Sequence, residues 1–312
     1  MNLHGIHHVT AITANARENL RFYTDLLGMR LVKKTVNQDD VSAYHLFYAD
    51  GAGTPGSDLT FFDWPAAQES RGTSSIVRTG LRVDGVAALD WWGQRLREAG
   101  LTTKEIIGRD NRAALDFEDP EGQRLSFVAD HAEGEKHPWR GGPVPEEHQI
   151  RGLGPLVLSV PRPERTERIF CGVLGMQIAR TYREGGRDVQ VYRAGERLDA
   201  GREIHVAGDP GQPVAHQGAG GVHHLALRTT QADYGAWAQR LIEAGLPNSG
   251  PVDRFYFRSL YFREPNGILI EIATDEPGFA ADEPAESLGQ TLALPPFLEP
   301  RRREIEAGLK PL

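Results

Sequence analysis

Two short runs set paired histidines among apolar residues: Gly5-Ile6-His7-His8-Val9-Thr10 near the start of the chain, and Gly221-Val222-His223-His224-Leu225-Ala226-Leu227 far downstream. A third run, Gly267-Ile268-Leu269-Ile270-Glu271-Ile272-Ala273, carries a single carboxylate among isoleucines. All three read as strands, and side chains on a strand alternate between faces. Ile6, His8 and Thr10 therefore share a face, as do Val222, His224 and Ala226, and Leu269, Glu271 and Ala273. One histidine of each pair can meet Glu271 at a common centre. An unpaired carboxylate buried between Ile270 and Ile272 would be costly, and a divalent cation removes that cost. Two neutral imidazoles and one carboxylate leave three facial positions open on a six-coordinate ion, the arrangement of non-haem Fe(II) oxygenases. The absence of thiolate argues against structural zinc.

The elements that must position these residues come from an internal duplication. Gly5-Ile6-His7-His8-Val9 aligns with Gly152-Leu153-Gly154-Pro155-Leu156, and at the same offset Leu26-Leu27-Gly28-Met29-Arg30-Leu31 falls on Val173-Leu174-Gly175-Met176-Gln177-Ile178. At nearly the same spacing, Trp92-Gly93-Gln94-Arg95-Leu96 falls on Trp237-Ala238-Gln239-Arg240-Leu241, and Asp119-Pro120-Glu121-Gly122 on Glu264-Pro265-Asn266-Gly267. Each half divides again. Module one has an alternating run at 6–13, a helical pattern with Leu20, Tyr23, Leu26 and Leu27 on one face that stops at Gly28, and strands near 29–36, 43–49 and 57–63. Module two has a strand at 76–83, a helix at 86–99 and strands to about 129. Modules three (151–207) and four (221–273) repeat the plan. The expected fold is α+β: four β-α-β-β-β modules in two tandem domains, 1–130 and 151–274, joined by a linker at 131–150. A loop at 208–220 joins modules three and four, and a tail at 275–312 ends in a short charged helix near 297–309.

The repeats also act as an internal control. Fold-forming positions persist between copies while the ligand positions do not: His8 maps to Pro155, His224 to Thr79, Glu271 to Ser126 and Tyr261 to Asp116. Chemistry is thus expected only in modules one and four. The module-one counterpart of Glu271 falls near Phe61, with Asp63 close by, so no fourth protein ligand is expected and space remains for other ligands. His45 and His205 sit in strand patterns and are expected to be structural, and His4, His131, His137, His148 and His216 to be solvated. Phe61 and Phe255 are candidates to line a ring pocket.

Composition narrows the remaining classes. The formal net charge of −8 offers no footprint for nucleic acid. No apolar run approaches the roughly 20 residues that span a bilayer, and the strand pattern starts too near Met1 for a signal peptide. The single cysteine, Cys171, excludes an intrachain disulfide, suits a reducing cytoplasm and is expected in a helix as a core residue. Exposed sheet edges leave a homo-oligomer open.

Several stretches together give a more specific likeness: Gly5-Ile6-His7-His8-Val9-Thr10, Leu31-Val32-Lys33-Lys34-Thr35-Val36-Asn37, Tyr44-His45-Leu46-Phe47-Tyr48, Gly53-Thr54-Pro55-Gly56, Gly221-Val222-His223-His224 and the tail Pro295-Pro296-Phe297-Leu298-Glu299-Pro300. With the four-module plan, they resemble the vicinal oxygen chelate superfamily (glyoxalases and extradiol dioxygenases), and within it the hydroquinone ring-cleaving dioxygenases of the methylhydroquinone-associated type. The resemblance covers essentially the whole chain. It implies His8, His224 and Glu271 as ligands of Fe(II), with Mn(II) able to use the same set. It also implies roles around the substrate or the ligands for His7, Thr10, His223, Arg254 and Tyr261, and an aromatic substrate cleaved with O2 beside a ring hydroxyl. Thr10 shares the face of His8, and Tyr261 lies on the strand that should pair with that of Glu271. His7 and His223 face away on regular strands and need a bulge to take part. Arg254 has a counterpart, Arg109, in module two, which suits a structural role equally. For the acid or base, His223 ranks ahead of Tyr261 because an unperturbed imidazole titrates nearest neutrality. Two other functions suit the same scaffold: a glyoxalase-like isomerase or lyase, which would normally want a fourth protein ligand, and a non-enzymatic small-molecule binding protein, which needs no His/His/Glu set.

Overall fold

In the computed structural model, residues 1–131 and 135–312 are described, so positions 132–134 of the expected linker lie outside the described residues. The four modules are present. The first comprises β1 (Ile6–Thr13), α1 (Ala16–Arg21), β2 (Arg30–Asn37), β3 (Asp40–Ala49) and β4 (Asp58–Asp63). The second has β5 (Ser75–Val83), α2 (Gly85–Glu98), β6 (Ile107–Arg109), β7 (Arg112–Glu118) and β8 (Arg124–Ala129). The third has β9 (Gly152–Val160), α3 (Pro163–Gly172), β10 (Gln177–Glu184), β11 (Arg187–Arg193) and β12 (Glu203–Gly208). The fourth has β13 (Val222–Thr229), α4 (Gln231–Glu243), β14 (Val252–Asp253), β15 (Arg258–Arg263) and β16 (Leu269–Thr274), and the tail closes with α5 (Arg302–Gly308). In module one the helix continues beyond α1 as a π turn, Phe22–Leu26, and stops where Gly28 takes a φ of +70°. A side chain there would also run into Val144.

Hydrogen bonding does not follow the halves of the chain. Antiparallel pairing of β1 with β13 joins modules one and four into one eight-stranded sheet, ordered β14-β15-β16-β13-β1-β4-β3-β2. Pairing of β5 with β9 joins modules two and three into a second, ordered β10-β11-β12-β9-β5-β8-β7-β6. Each sheet therefore takes one module from each half. The first and last strands of each order also meet: Arg109 of β6 bonds Glu184 of β10, and Arg254, just after β14, bonds Asp39, just after β2. Both sheets are thus curled into cups.

The helices pack outside the cups, α2 on β7 and β8, α4 on β15 and β16. The duplicated tryptophans, Trp92 and Trp237, are both buried in these layers, and Trp92 stacks on Phe127 with ring centroids 4.3 Å apart. Strand alternation then assigns the other face. Phe127, Phe61, Ile270 and Ile272 belong to the core, while Ser126, Thr60 and Glu271 point into the cups. Cys171 is partly buried at the margin of the core on α3. No helix among the described residues is long and apolar enough to cross a membrane.

The tail is tied to the first cup more firmly than a surface-packed helix would be. Lys33 of β2 is fully buried, with its ammonium 2.7 Å from Asp282, in contact with Glu283, and 4.6 Å above the Tyr256 ring. Tyr256 in turn donates to Asp282 over 2.9 Å. Farther on, Leu294, Leu298 and Ile305 cover Val36. Breaking a buried ion pair by removing one partner leaves the other charge stranded. Lys33→Met is therefore expected to lower the free energy of unfolding by about 3 kcal/mol in a denaturant titration.

Candidate metal centre

Three polar atoms converge on the floor of the first cup. Glu271 Oε2 lies 3.1 Å from His8 Nε2 and 2.9 Å from His224 Nε2, and the two imidazole nitrogens are 3.4 Å apart. All three residues are buried, and Glu271 Oε2 has no hydrogen-bond partner despite full burial. Donors in adjacent octahedral positions, each about 2.1 Å from an ion, are separated by about 3.0 Å, so the cluster fits a divalent cation. The other oxygen, Oε1, accepts from Ser259 Oγ at 2.5 Å. Burial opposes charge on Glu271, but the His8 and His224 rings outweigh it and hold its carboxyl well below the usual carboxylate range. The three atoms can hold a metal through one anionic and two neutral donors.

The histidine doublets reach the cluster by the bulges that regular alternation demanded. In the β1–β13 pairing, Ile6 opposes Leu227 and His8 opposes Ala226, so His7 is the extra residue; Thr10 opposes His224 and Ala11 opposes Val222, so His223 is the extra residue on the other strand. Each bulge turns the first histidine of its doublet behind the second. His7 Nδ1 lies 2.9 Å from His8 Nδ1, and His223 Nδ1 lies 2.8 Å from His224 Nδ1. The tautomers follow. A metal at Nε2 of His8 leaves its Nδ1 carrying hydrogen, which donates to His7 Nδ1, and His7 Nε2–H donates to the Thr274 carbonyl at 3.1 Å. Burial, followed by the adjacent ligand ring, pushes His7 and His223 down to about 3, so both are neutral at pH 7. His223 is the residue expected to serve as acid or base. Its Nδ1 lies against His224 Nδ1, and it sits behind His224 rather than on the cavity wall.

The cavity above the cluster is walled by Phe47, Phe62, Tyr256 and Phe257, with Thr10, His45, Arg254 and Tyr261 as polar groups. The expected Phe61 and Phe255 are not in this wall. Phe61 faces outward against Tyr23 and Tyr48, because the module-one counterpart of Glu271 is one residue earlier than the sequence comparison placed it. Ala226 pairs with Glu271, and its equivalent Thr10 pairs with Thr60, so Thr60 occupies the fourth-ligand position. A one-residue slip exchanges the two faces of a strand. Tyr261 pairs with Glu271 across β15 and β16, sets its ring edge-on to His224 at 5.7 Å, and accepts from Arg254 Nε at 3.3 Å. Arg254 also reaches Asp39 at 2.9 Å, and Gln38 donates to its carbonyl, so the turn after β2 is fastened across the mouth. Asp39 is 72% exposed, which makes this a weak tie. His45 is the site residue that strand pattern alone missed. Its only signal was a polar residue between Tyr44 and Leu46, common to many structural histidines.

The second cup holds a comparable cluster, Asp110, Glu203 and His205, but its carboxylates are already paired. Arg112 and Arg180 bind Glu203, and Arg180 also binds Asp110. The counterpart of Arg254, Arg109, is clamped between Asp116 and Glu184. Guanidinium groups neutralise here what a cation could neutralise in the first cup, and His205 has the structural place expected of it.

Two outcomes test this geometry. His8→Ala and His224→Ala should each abolish tight binding of Fe(II) or a substitute divalent ion in equilibrium dialysis, since the ligands come from opposite ends of the chain. His7→Phe, which removes only the partner of a ligand, should weaken metal binding by roughly 10- to 100-fold in a competition titration.

Comparison with known proteins places this architecture. Residues 5–127 and 152–272 match the Glyoxalase/Bleomycin resistance protein/Dioxygenase superfamily. The chain is 47% identical over its full length to a full-length Bacillus subtilis protein named "Putative ring-cleaving dioxygenase MhqA". It is 30% identical to the "Chlorohydroquinone/hydroquinone 1,2-dioxygenase" of Sphingobium indicum, covering 96% of this chain and 94% of that one. A Bacillus subtilis crystal structure titled a putative dioxygenase superposes with a TM-score of 0.91 at 37% identity, covering 100% of this chain and 98% of that one. The duplicated modules, the paired cups and these matches agree: the chain belongs to the Glyoxalase/Bleomycin resistance protein/Dioxygenase superfamily.

Proposed function

We propose that this protein is a ring-cleaving dioxygenase that holds Fe(II) through His8, His224 and Glu271 and inserts O2 into a hydroquinone-type aromatic ring. The observation that carries the reading is the convergence of two Nε2 atoms and the unpartnered Glu271 Oε2 beneath an aromatic-walled cavity. Thr60, rather than a carboxylate or imidazole, stands at the module-one position equivalent to Glu271. A catechol ring or a Mn(II) ion would meet the same groups, but the name of the Sphingobium relative favours hydroquinone. Thr60 also counts against an isomerase that needs four protein ligands.

Ferrous iron held by His8, His224 and Glu271 would supply the redox chemistry that lets O2 react with a closed-shell ring. The protein's own residues do the rest. A donor set of net charge −1 leaves the centre positive, which favours a ring hydroxyl in its anionic form. Phe47, Phe62, Tyr256 and Phe257 give a flat ring apolar surfaces and exclude water. Burial, reinforced by the Glu271 carboxylate, raises the Tyr261 phenol above its usual range, so it stays protonated and can donate to a ring oxygen. Arg254 holds that phenol in place and adds positive charge near an anionic substrate. His7 and His223 keep each ligand imidazole in the tautomer that presents Nε2.

Anaerobically purified protein reconstituted with Fe(II) is expected to consume O2 with a hydroquinone and to place both atoms of 18O2 in a ring-opened product. Removal of iron should stop the reaction, and catechol should be the poorer substrate. Protein that retains zinc and shows no O2 uptake after ferrous reconstitution would sink the reading.

A further inference from the structure

A line of hydrogen bonds enters the first cup from the side opposite Tyr261. His45 Nε2 lies 3.0 Å from Thr60 Oγ1, Thr60 Oγ1 lies 2.9 Å from Thr10 Oγ1, and Thr10 Oγ1 lies 3.1 Å from His224 Nε2. The last contact has a consequence for a loaded site. Nδ1 of His224 is taken by His223, so Nε2 is the nitrogen that faces Glu271 and a bound cation. A lone pair given to a cation is no longer available to Thr10. The Thr10 hydroxyl must then turn to whatever lies beside His224, and what it offers there depends on the two residues behind it.

If each hydroxyl spends its one hydrogen within the line or at its open end, accepting on one side and donating on the other, the three side chains have two orders. If His45 Nε2 carries hydrogen, it donates to Thr60, Thr60 donates to Thr10, and the Thr10 hydrogen is free for the cavity. If His45 carries hydrogen on Nδ1, the line reverses and Thr10 presents a lone pair. Burial, with the neighbouring His8 and His224 rings, holds His45 well below its usual range, so the ring is neutral and carries one hydrogen, on Nε2 or on Nδ1. The groups around the floor favour the first order. The cup already presents a carboxylate oxygen at this point, and the ligands proposed for it are anionic oxygens that accept rather than donate.

The second cup serves as a control for whether this line is merely part of the fold. The strand registers put Val157 where Thr10 stands and Val189 where His45 stands, and His205, at the Thr60 position, bonds Glu203 instead. The same strands pack well without the line. It accompanies the His/His/Glu cluster and is missing from the cup that lacks one.

We infer that His45 and Thr60 are positioning residues that fix the Thr10 hydroxyl as a hydrogen-bond donor to an anionic oxygen ligand beside His224. The inference rests on the metal centre and the reaction proposed above. It adds that a threonine in the fourth-ligand position both vacates a coordination site and supplies the middle of a donor relay.

The deciding measurement is the His45 tautomer, read by 15N NMR in the full chain loaded with Zn(II) as a diamagnetic substitute. Hydrogen on Nε2 is expected; hydrogen on Nδ1 would overturn the inference. In the iron-loaded protein, Thr60→Val and Thr10→Val should each lower kcat by about tenfold, the effect of losing roughly one hydrogen bond in the transition state, with iron content unchanged. Thr60→Ser, which restores the hydroxyl, should recover most of that loss and so separates the relay from packing. His45→Gln, which keeps an N–H donor, should retain more activity than His45→Leu. Equal losses in those two variants, or unchanged kcat in both threonine-to-valine variants, would count against the relay. The tautomer measurement needs no turnover, so failure of ring cleavage and failure of the relay give different results.

Discussion

A carboxylate with no solvent exposure must be compensated, and the first cup is built around that requirement. Glu271 sits in a strand whose neighbours Ile270 and Ile272 face the helix layer, so it cannot turn toward water without slipping β16 by a residue and exposing its apolar set. Ser259 satisfies one oxygen, and the other is left to two imidazole nitrogens that approach within hydrogen-bond distance without a bonding geometry. Such a cluster is poorly satisfied by protein groups alone. A cation at the point between them would compensate the same atoms, which is why the donor set carries the functional reading.

The two cups show how one fold meets this problem in two ways. The β1–β13 and β5–β9 seams have the same antiparallel pairing and both carry register shifts, with the Gly154-Pro155 bulge of β9 matching the His7-His8 doublet of β1. Bulges are therefore part of the scaffold, and the first cup uses them to set His7 behind His8 and His223 behind His224. In the second cup arginine neutralises the carboxylates. Arg78, Arg109, Arg112 and Arg180 face Asp110, Asp116, Glu184 and Glu203, charges balance, and the mouth is closed by Glu184 between Arg78 and Arg109. The equivalent ties in the first cup are the pair of Arg254 with the exposed Asp39 and the Gln38 bond to the Arg254 carbonyl. A pair with one exposed partner is worth at most about 1 kcal/mol, less than the buried arginine network of the second cup.

Much of this was legible in the sequence because duplication makes residues comparable with their own copies. The four modules, the helix-face tryptophans and the grouping of His8, His224 and Glu271 all follow from repeat alignment plus strand alternation. Three things did not follow. The pairing of modules one and four within one sheet is a choice of long-range partner, which local periodicity does not encode, although the expected shared site required it. The exchange of Phe61 for Thr60 came from a one-residue uncertainty in register, which alternation converts into the opposite face. The place of His7 and His223 turned on bulges, whose need was evident but whose position was not.

His45 illustrates a different limit. In isolation it is an ordinary strand histidine, and no spacing connects it to residues 10 and 60. Its meaning appears only when β1, β4 and β3 lie side by side, so that a residue from each falls on one line ending at His224. Metal ligands are readable because the ion restricts their chemical types. The residues that orient a donor toward the ion's open positions are restricted only by reach, and histidine or threonine serves as well as several others. The same physics that makes the His/His/Glu cluster visible in a sequence therefore hides the groups that govern what binds beside it, and those groups become apparent only through their relation to the cup that lacks them.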